Sequence, residues 1–190
     1  MPLGSTIRDF AEVLSHRVDV TRPHALIGVS LGGLVAQDLA ALTRAERVII
    51  VSSWKGMEEM PAAVKLLHGT HAERILTPGF MKHGMPIVRW HMGLETKADN
   101  DLFDAFLAAT PLEQVRVQIA AVLGWEGSAE PVAGLVHIHG DHDRLMPITH
   151  IDAATVIKGG GHFMVFNRAA EVASAILAAL PSTRSKATPP

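Results

Sequence analysis

The chain has 190 residues, of which 48% are hydrophobic and 19% are charged, and these values fit one globular domain with a substantial core. Its formal net charge of −2 gives no basic surface for nucleic acid, and the absence of cysteine excludes disulfides, a thiol nucleophile and a cysteine metal site. No apolar run approaches the length of a membrane span, and the first residues lack the pattern of a signal peptide, so we expect a cytoplasmic protein.

The first fifty residues alternate between helical and strand patterns. Thr6 and Asp9 form a capping box at the start of an amphipathic helix over residues 6–18. Ala25–Val29 is a short apolar strand, and a helical pattern follows it. Residues 47–53 contain a β-branched run that is typical of a strand buried on both faces. This order predicts α/β architecture, with a mostly parallel sheet flanked by helices.

Residues 54–131 contain no convincing strand and are expected to form a helical cap insertion over the sheet edge. A Thr110 cap with Pro111 at the first helical position predicts the start of its last helix, which stops at Gly124. The other helical patterns cover Ala62–Leu67, a stretch near residues 87–92 and residues 99–109.

The first half of this insertion is rich in methionine and tryptophan. Together these side chains suit an adaptable apolar wall over a site for apolar substrates. Ordinary core packing is the alternative, and it is favoured for any single methionine. The residues are Trp54, Met57, Met60, Met81, Met85, Trp90 and Met92.

Strand patterns return at residues 134–139 and 153–157, and a helix over residues 168–180 closes the fold. The predicted core therefore comprises residues 1–53 and 132–180, with the insertion at residues 54–131. Residues 181–190 are polar and proline-rich, and we expect a flexible tail there.

A Gly-x-Ser-x-Gly motif, formed by Gly28, Ser30 and Gly32, lies between the first strand and the helix that follows it. A serine on so sharp a turn has a strained backbone, and we expect that only residues without Cβ fit two positions before and after it. The turn exposes the Ser30 hydroxyl and directs the first helix amides, which favour an oxyanion, to the same point.

Candidate partners of this serine follow two later strands. Asp141 and Asp143 come after the strand at residues 134–139, and His162 follows the last strand in a glycine-rich loop. Because ligands gather at the carboxyl ends of parallel strands, these side chains are expected to meet Ser30. Serine, acid and histidine in this order make a nucleophile, its orienting carboxylate and its base.

With these motifs, the chain resembles the α/β-hydrolase fold superfamily over residues 6–180. The matching segments are Gly-Val-Ser-Leu-Gly-Gly at residues 28–33, His-Gly-Asp-His-Asp-Arg-Leu-Met-Pro at residues 139–147 and Gly-Gly-His-Phe at residues 160–163. The resemblance implies that Ser30 is the nucleophile and His162 the general base and acid. It selects Asp143 over Asp141 as the residue that orients the histidine. It also implies that the Leu31 amide is one oxyanion donor, that the insertion is a cap, and that no cofactor is needed.

The chain departs from this family before the Gly-x-Ser-x-Gly motif. The family has several strands there, and a loop after one of them supplies a second oxyanion amide, whereas this sequence offers one helix and one loop. We therefore expect an N-terminally shortened form with an exposed apolar edge on the strand at Ala25–Val29. Such an edge favours self-association.

The segment at residues 137–142 also spells His-x-His-x-Asp-His, the metal-binding signature of the metallo-β-lactamase fold. The candidate ligands would be His137, His139, Asp141 and His142. This alternative leaves the Gly-x-Ser-x-Gly motif and the glycine-rich loop at His162 unexplained. An interpretation of His137 and His139 as strand residues with local hydrogen bonds agrees better with these two motifs.

The sequence therefore predicts a serine hydrolase that cleaves a carboxylic ester, or a related thioester or lactone, through an acyl-enzyme. We expect its partner to be a small, apolar ester or acyl substrate. We expect the protein to bind no nucleic acid and no metal and to have no membrane span. The alternative from another class is a non-catalytic or impaired α/β-hydrolase-like protein that binds an apolar ligand or a partner.

Overall fold

A computed structural model describes residues 1–129, 132–152 and 155–181 of the chain. Four strands form one parallel sheet with the spatial order β1-β2-β3-β4. Their bounds are β1 Ala25–Val29, β2 Arg47–Val51, β3 Leu135–Gly140 and β4 Thr155–Ile157. The predicted α/β fold with a parallel sheet is confirmed. The first two residues of the predicted last strand, 153 and 154, lie outside the described residues.

Helices precede, connect and follow these strands. They are α1 Ile7–Ser15, α2 Leu31–Thr43, α3 Ala62–Leu67, α4 Pro78–His83, α5 Met85–Met92, α6 Lys97–Ala109, α7 Leu112–Leu123, α8 Met164–Asn167 and α9 Ala169–Ala179. Short 3-10 helices lie at Met57–Glu59, Ala72–Ile75 and Ile148–His150. Among the described residues, no helix is long and apolar enough to cross a bilayer.

Strand β2 carries the centre of the core. Its side chains alternate between the two faces of the sheet. Val48 and Ile50 pack with residues of α2, whereas Ile49 and Val51 pack with residues of α8 and α9. All four side chains are fully buried. The β-branched run thus forms a strand covered on both faces, as predicted.

The first helix begins as its sequence predicts. Thr6 and Asp9 form the capping box, and Ile7 and Ala11 are buried in a core cluster that includes residues of α2. The helix ends at Ser15 instead of Val18, and the Val18 amide then donates to the Ser15 carbonyl in a turn.

The segment between β2 and β3 contains α3 to α7 and, within its described residues, no strand. The predicted helix start at Thr110 is wrong in its details. Helix α7 begins at Leu112 after Pro111, and the Thr110 hydroxyl donates to the Phe106 carbonyl in the last turn of α6. Thr110 therefore closes one helix and does not cap the next. The division into core, cap and tail stays a prediction, and residues 182–190 lie outside the described chain.

Strand β1 is at the edge of the sheet, because its only strand partner among the described residues is β2. The Ile27 side chain in the middle of β1 is 50% exposed. The described part of the chain therefore has the partly exposed apolar edge strand that the sequence predicted.

Candidate active site

Ser30 lies in a strained turn between β1 and α2. Its φ of 53° and ψ of −123° are unusual for a residue with a side chain. The surrounding structure fixes this backbone. The Ser30 amide donates to the Val51 carbonyl over 2.9 Å, and the Ser30 carbonyl accepts from the Gly33 amide and from the Ser53 hydroxyl, each over 2.8 Å.

The glycines around Ser30 differ in how tightly they are packed. A Cβ on Gly28 would lie 2.1 Å from the Gly32 carbonyl oxygen, so the close approach of strand and helix requires glycine there. A Cβ on Gly32 would meet no atom within 4 Å, so the expected steric requirement at Gly32 is wrong. The crowded position is Gly33, where a Cβ would lie 2.4 Å from the Ser53 hydroxyl oxygen.

The glycine-rich loop after β4 brings His162 to this turn. The His162 Nε2 atom lies 2.9 Å from Ser30 Oγ, and its Nδ1 atom lies 2.9 Å from Asp143 Oδ2. Because an ionised carboxylate can only accept, Nδ1 donates to Asp143, and the neutral ring then accepts from Ser30 at Nε2. His162 and Asp143 are buried. The arrangement can move a proton from the serine hydroxyl to the imidazole.

The loop after β3 holds Asp143 through its own amides. Asp143 Oδ1 accepts from the Leu145 amide over 3.0 Å and from the Met146 amide over 2.8 Å. Asp141 has different neighbours. Its Oδ1 accepts from the Gly159 amide over 2.7 Å, and its Oδ2 lies 3.2 Å from Lys158 Nζ. The structure thus places Asp143 beside His162 and Asp141 against the next loop.

Leu31 is the first residue of α2 and directly follows Ser30. The amides of a first helical turn have no partners within the helix and lie at its positive end. The Leu31 amide is therefore a candidate for stabilising a negative charge next to Ser30.

The histidines of β3 bond to each other and to the loop. His137 Nε2 lies 3.1 Å from His139 Nδ1, and His139 Nε2 lies 2.7 Å from the Met146 carbonyl. His142 is exposed, and Asp141 contacts Gly159. Among the described residues, no group of three or more histidine, aspartate or glutamate side chains is arranged to hold a metal ion. This geometry does not support the metal-binding alternative.

The methionine and tryptophan residues of the insertion have two kinds of environment. Trp54 and Met60 are buried in the core, and Met57 packs against the same cluster. Trp90 is 57% exposed. Met81, Met85 and Met92 are half-buried. Core packing is thus the role of Trp54 and Met60, whereas a pocket wall formed by the half-buried residues stays a prediction.

Helix α5 ends against both loops that carry the histidine and the acid. The Met92 carbonyl accepts from the Phe163 amide over 2.9 Å. The Arg144 guanidinium carbon lies 4.6 Å from the centre of the Trp90 ring, and Arg144 Nη1 donates to the Trp90 carbonyl over 3.1 Å. Sequence reasoning missed these contacts and the Ser53 bond to Ser30, because no local pattern marks partners so distant in the chain.

Comparisons with known proteins agree with this architecture. A sequence model described as "Alpha/beta hydrolase family" matches residues 2–175. No curated protein matches significantly. A bromoperoxidase from Bacillus anthracis aligns with a TM-score of 0.64 and 16% identity, over 92% of this chain and 74% of that one. A thermophilic esterase from Thermogutta terrifontis aligns with a TM-score of 0.62 and 18% identity, over 94% of this chain and 73% of that one.

A type II thioesterase of the yersiniabactin biosynthetic pathway is similar as well, with a TM-score of 0.58 and 17% identity over 93% of this chain and 74% of that one. At such low identities these likenesses concern the fold. The family model covers all four strands and the residues Ser30, Asp143 and His162. This chain therefore belongs to the alpha/beta hydrolase family.

Proposed function

We propose that this chain is a serine hydrolase that cleaves a carboxylic ester, or a related thioester or lactone, through an acyl-enzyme on Ser30. One observation carries the proposal. A strained serine at the start of a helix is hydrogen-bonded to a buried histidine, which is hydrogen-bonded to a buried carboxylate, with 2.9 Å in each bond. This arrangement of nucleophile, base and orienting acid is recognised by its geometry and roles.

In the first half-reaction, Ser30 Oγ attacks the acyl carbon while His162 Nε2 takes the hydroxyl proton. The negative charge on the carbonyl oxygen develops beside the Leu31 amide, at the positive end of α2. His162 then gives the proton to the leaving alcohol or thiol, and the bond from acyl carbon to leaving group breaks.

In the second half-reaction, water attacks the acyl carbon of the Ser30 ester. His162 takes a proton from this water and returns it to Ser30 Oγ, and the free acid leaves. Asp143 stays ionised throughout. It holds Nδ1–H of His162 and stabilises the imidazolium that forms in both half-reactions.

The chemistry of the acyl group is proposed from the cap. Half-buried methionines on α4 and α5 and the exposed Trp90 offer an adaptable apolar surface, of which Met92 and Trp90 bond through their carbonyls to the loops of the site. An apolar acyl or alcohol group suits this surface. A thioester or lactone would undergo the same two half-reactions, so these substrates belong to the same proposal.

The test is covalent labelling with a fluorophosphonate probe, followed by intact mass measurement. We expect one adduct on the wild-type protein, none on Ser30→Ala, and full labelling of Ser174→Ala, which removes an exposed serine of α9. Hydrolysis of a short p-nitrophenyl ester should follow the labelling. Equal labelling of wild type and Ser30→Ala would contradict the assignment of the nucleophile. A folded wild-type protein without labelling or turnover would instead favour the non-catalytic alternative.

A further inference from the structure

A buried pair of histidines on β3, His137 and His139, lies next to Asp143. His137 and His139 are two residues apart on β3, so their side chains are on the same face of the strand. Their exposed fractions are 3% and 0%. The two rings are perpendicular, with centres 5.0 Å apart, and the catalytic steps proposed above use neither of them.

The hydrogen bonds fix which nitrogen of each ring carries a proton. The Met146 carbonyl can only accept, so His139 Nε2 must carry a hydrogen and donate to it. Burial lowers the pKa of His139, although the Met146 carbonyl and the Asp143 charge act in the opposite direction. In the neutral ring Nδ1 is an acceptor, so His137 Nε2 donates to it.

The other end of the pair contacts a buried acid of the cap segment. Burial, with His139 beside it, lowers the pKa of His137 to about 3, so this ring is neutral too. His137 Nδ1 lies 3.9 Å from Glu59 Oε2, which accepts from the Lys55 amide over 2.7 Å. Lys55 Nζ lies 3.1 Å from Glu59 Oε1. Glu59 and Lys55 are therefore charged groups near His137, and Asp143, His162 and Glu59 are the titratable groups that act on His139.

The backbone of Met146 connects this pair to the proposed site. Its amide donates to Asp143 Oδ1, and its carbonyl, in the next peptide group, accepts from His139, so His139 holds the residue whose amide holds the acid. His139 Nε2 also lies 3.6 Å from Asp143 Oδ2, the oxygen that accepts from His162. The same buried N–H thus supports the loop and faces the carboxylate.

We infer that His139 is a positioning residue for Asp143, and that His137 supports the His139 ring by donating to the His139 Nδ1 atom. The inference rests on the proposed hydrolase function for its effect on turnover. Among the described residues, the ring hydrogen bonds of His139 join it to His137 and Met146 and not to Ser30. Its loss lowers kcat by about 10- to 100-fold and leaves KM within about twofold, because a buried donor and the support of the acid are lost together.

Three substitutions of His139 separate this role from packing. In His139→Gln the side-chain amide reaches the position of Nε2 and can still donate to the Met146 carbonyl. In His139→Asn the shorter amide reaches only the position of Nδ1, and His139→Leu removes both polar atoms. His150→Leu, a change at an exposed histidine of the same segment, is the matched control. The inference predicts that kcat is retained best by Gln, with larger losses for Asn and Leu.

A second readout does not need activity. The His162 Nδ1 proton, held between imidazole and carboxylate, gives a far-downfield proton resonance, which His162→Ala must abolish. We expect His139→Leu and His139→Asn to broaden or abolish this resonance, and His139→Gln and His150→Leu to retain it. His137→Leu should weaken it less than His139→Leu. Melting temperatures, measured alongside, identify variants that do not fold, and the comparison of Gln with Asn remains when Leu does not fold.

The outcomes separate the two proposals. If wild type neither hydrolyses esters nor labels at Ser30, but the resonance responds as described, the hydrolase proposal fails and the positioning role of His139 stands. If wild type is active and folded His139→Leu and His139→Asn keep both kcat and the resonance, the positioning role is wrong. If all three His139 variants have a lower melting temperature but unchanged kcat and an unchanged resonance, His139 contributes only to packing, and the positioning role is likewise wrong.

Discussion

Replacing Asp143 by asparagine tests how the acid orients His162. The two oxygens of Asp143 have separate tasks, since Oδ1 accepts from the amides of Leu145 and Met146 while Oδ2 accepts from His162 Nδ1. An asparagine that keeps its oxygen on the two amides must turn its NH2 group to His162. Nδ1 then has to accept, so the ring proton moves to Nε2 and faces Ser30. In this tautomer His162 cannot take the serine proton.

The structure also indicates how much free energy the variant needs to return His162 to the productive tautomer. Flipping the asparagine amide would restore an acceptor for His162, but it would leave the two loop amides without their acceptor. Each buried donor left unsatisfied costs about 1–3 kcal/mol, so the flip costs about 2–6 kcal/mol for the two. At about 1.36 kcal/mol per decade, only about one molecule in 30 to one in 25,000 would hold the productive tautomer. The upper end agrees with the loss of about four decades that such a change causes in a serine protease.

The matched control is Asp141→Asn, the same chemical change two residues away. Asp141 accepts from one amide, that of Gly159, and its other oxygen faces Lys158, whose side chain is 87% exposed. The asparagine can keep the Gly159 bond, and an ion pair with an exposed lysine contributes only about 0–1 kcal/mol. We expect Asp141→Asn to retain kcat within about threefold of wild type.

The assay is steady-state hydrolysis of a short p-nitrophenyl ester, with kcat and KM measured for wild type and both variants. Thermal unfolding of the same samples shows whether each variant is folded. Asp143→Asn should lower kcat by at least about 30-fold with little change in KM. A folded Asp143→Asn variant with kcat within tenfold of wild type would refute the reasoning, and so would equal losses from both variants.

Two further predictions concern the supports of the site. Ser53→Ala removes the hydroxyl that donates to the Ser30 carbonyl and should lower the free energy of unfolding by about 1 kcal/mol in urea titration, with kcat reduced several-fold. Ser52→Ala, at an equally buried neighbour whose hydroxyl has no partner among the described residues, should leave kcat unchanged and should not lower the free energy of unfolding. Arg144→Ala removes the stacking on Trp90, worth about 0.5–1 kcal/mol, so acrylamide should quench more of the tryptophan fluorescence, and Trp90→Phe should abolish the added quenching. Unchanged quenching in Arg144→Ala would mean that the contact does not hold Trp90.

Local patterns predicted the elements whose stability depends on nearby residues. The apolar strand Ala25–Val29 and the helix Ala62–Leu67 have the predicted bounds. The pattern at Thr110 was misinterpreted because a threonine at the junction of two helices can bond to either, and its hydroxyl bonds to Phe106 of the preceding helix. Short-range sequence contains both possibilities, and the structure shows that Thr110 bonds to the preceding helix.

The crowding around Ser30 depends on contacts between strands. In the sheet register Val29 pairs with Val51, which places Ser53 near the first turn of α2. The tight position is therefore Gly33, against Ser53, and not Gly32. No spacing within the Gly-x-Ser-x-Gly motif could reveal this contact, because its partner comes twenty residues later, just after β2.

The identities of the candidate triad were accessible from sequence because each follows a strand that ends at the same edge of the sheet. The choice of Asp143 over Asp141 came from the family resemblance, and the structure places Asp143 at 2.9 Å from His162. The supporting role of His139 was not predicted. It depends on how the loop after β3 folds back, so that the Met146 carbonyl lies 2.7 Å from the ring.

The last prediction concerns the edge strand β1. Its expected tendency to pair with a second copy stays a prediction, and Ile27, 50% exposed in the middle of β1, is the residue that tests it. Burying the exposed half of this side chain contributes about 1 kcal/mol per copy, or about 2 kcal/mol per dimer. Ile27→Lys removes this contribution and adds a charge that opposes edge pairing, so the dissociation constant should rise by at least about 30-fold.

Sedimentation velocity over a range of concentrations measures this constant. The matched control is Leu177→Lys on α9, which adds the same charge at an apolar residue that is 70% exposed and lies away from β1. We expect wild type and Leu177→Lys to associate alike and Ile27→Lys to remain monomeric over the same range. Wild-type protein that is monomeric at every concentration would show that the β1 edge does not pair. Equal association of all three proteins would show that the contact lies elsewhere, because a lysine in the middle of β1 cannot be neutral in an interface formed by that strand.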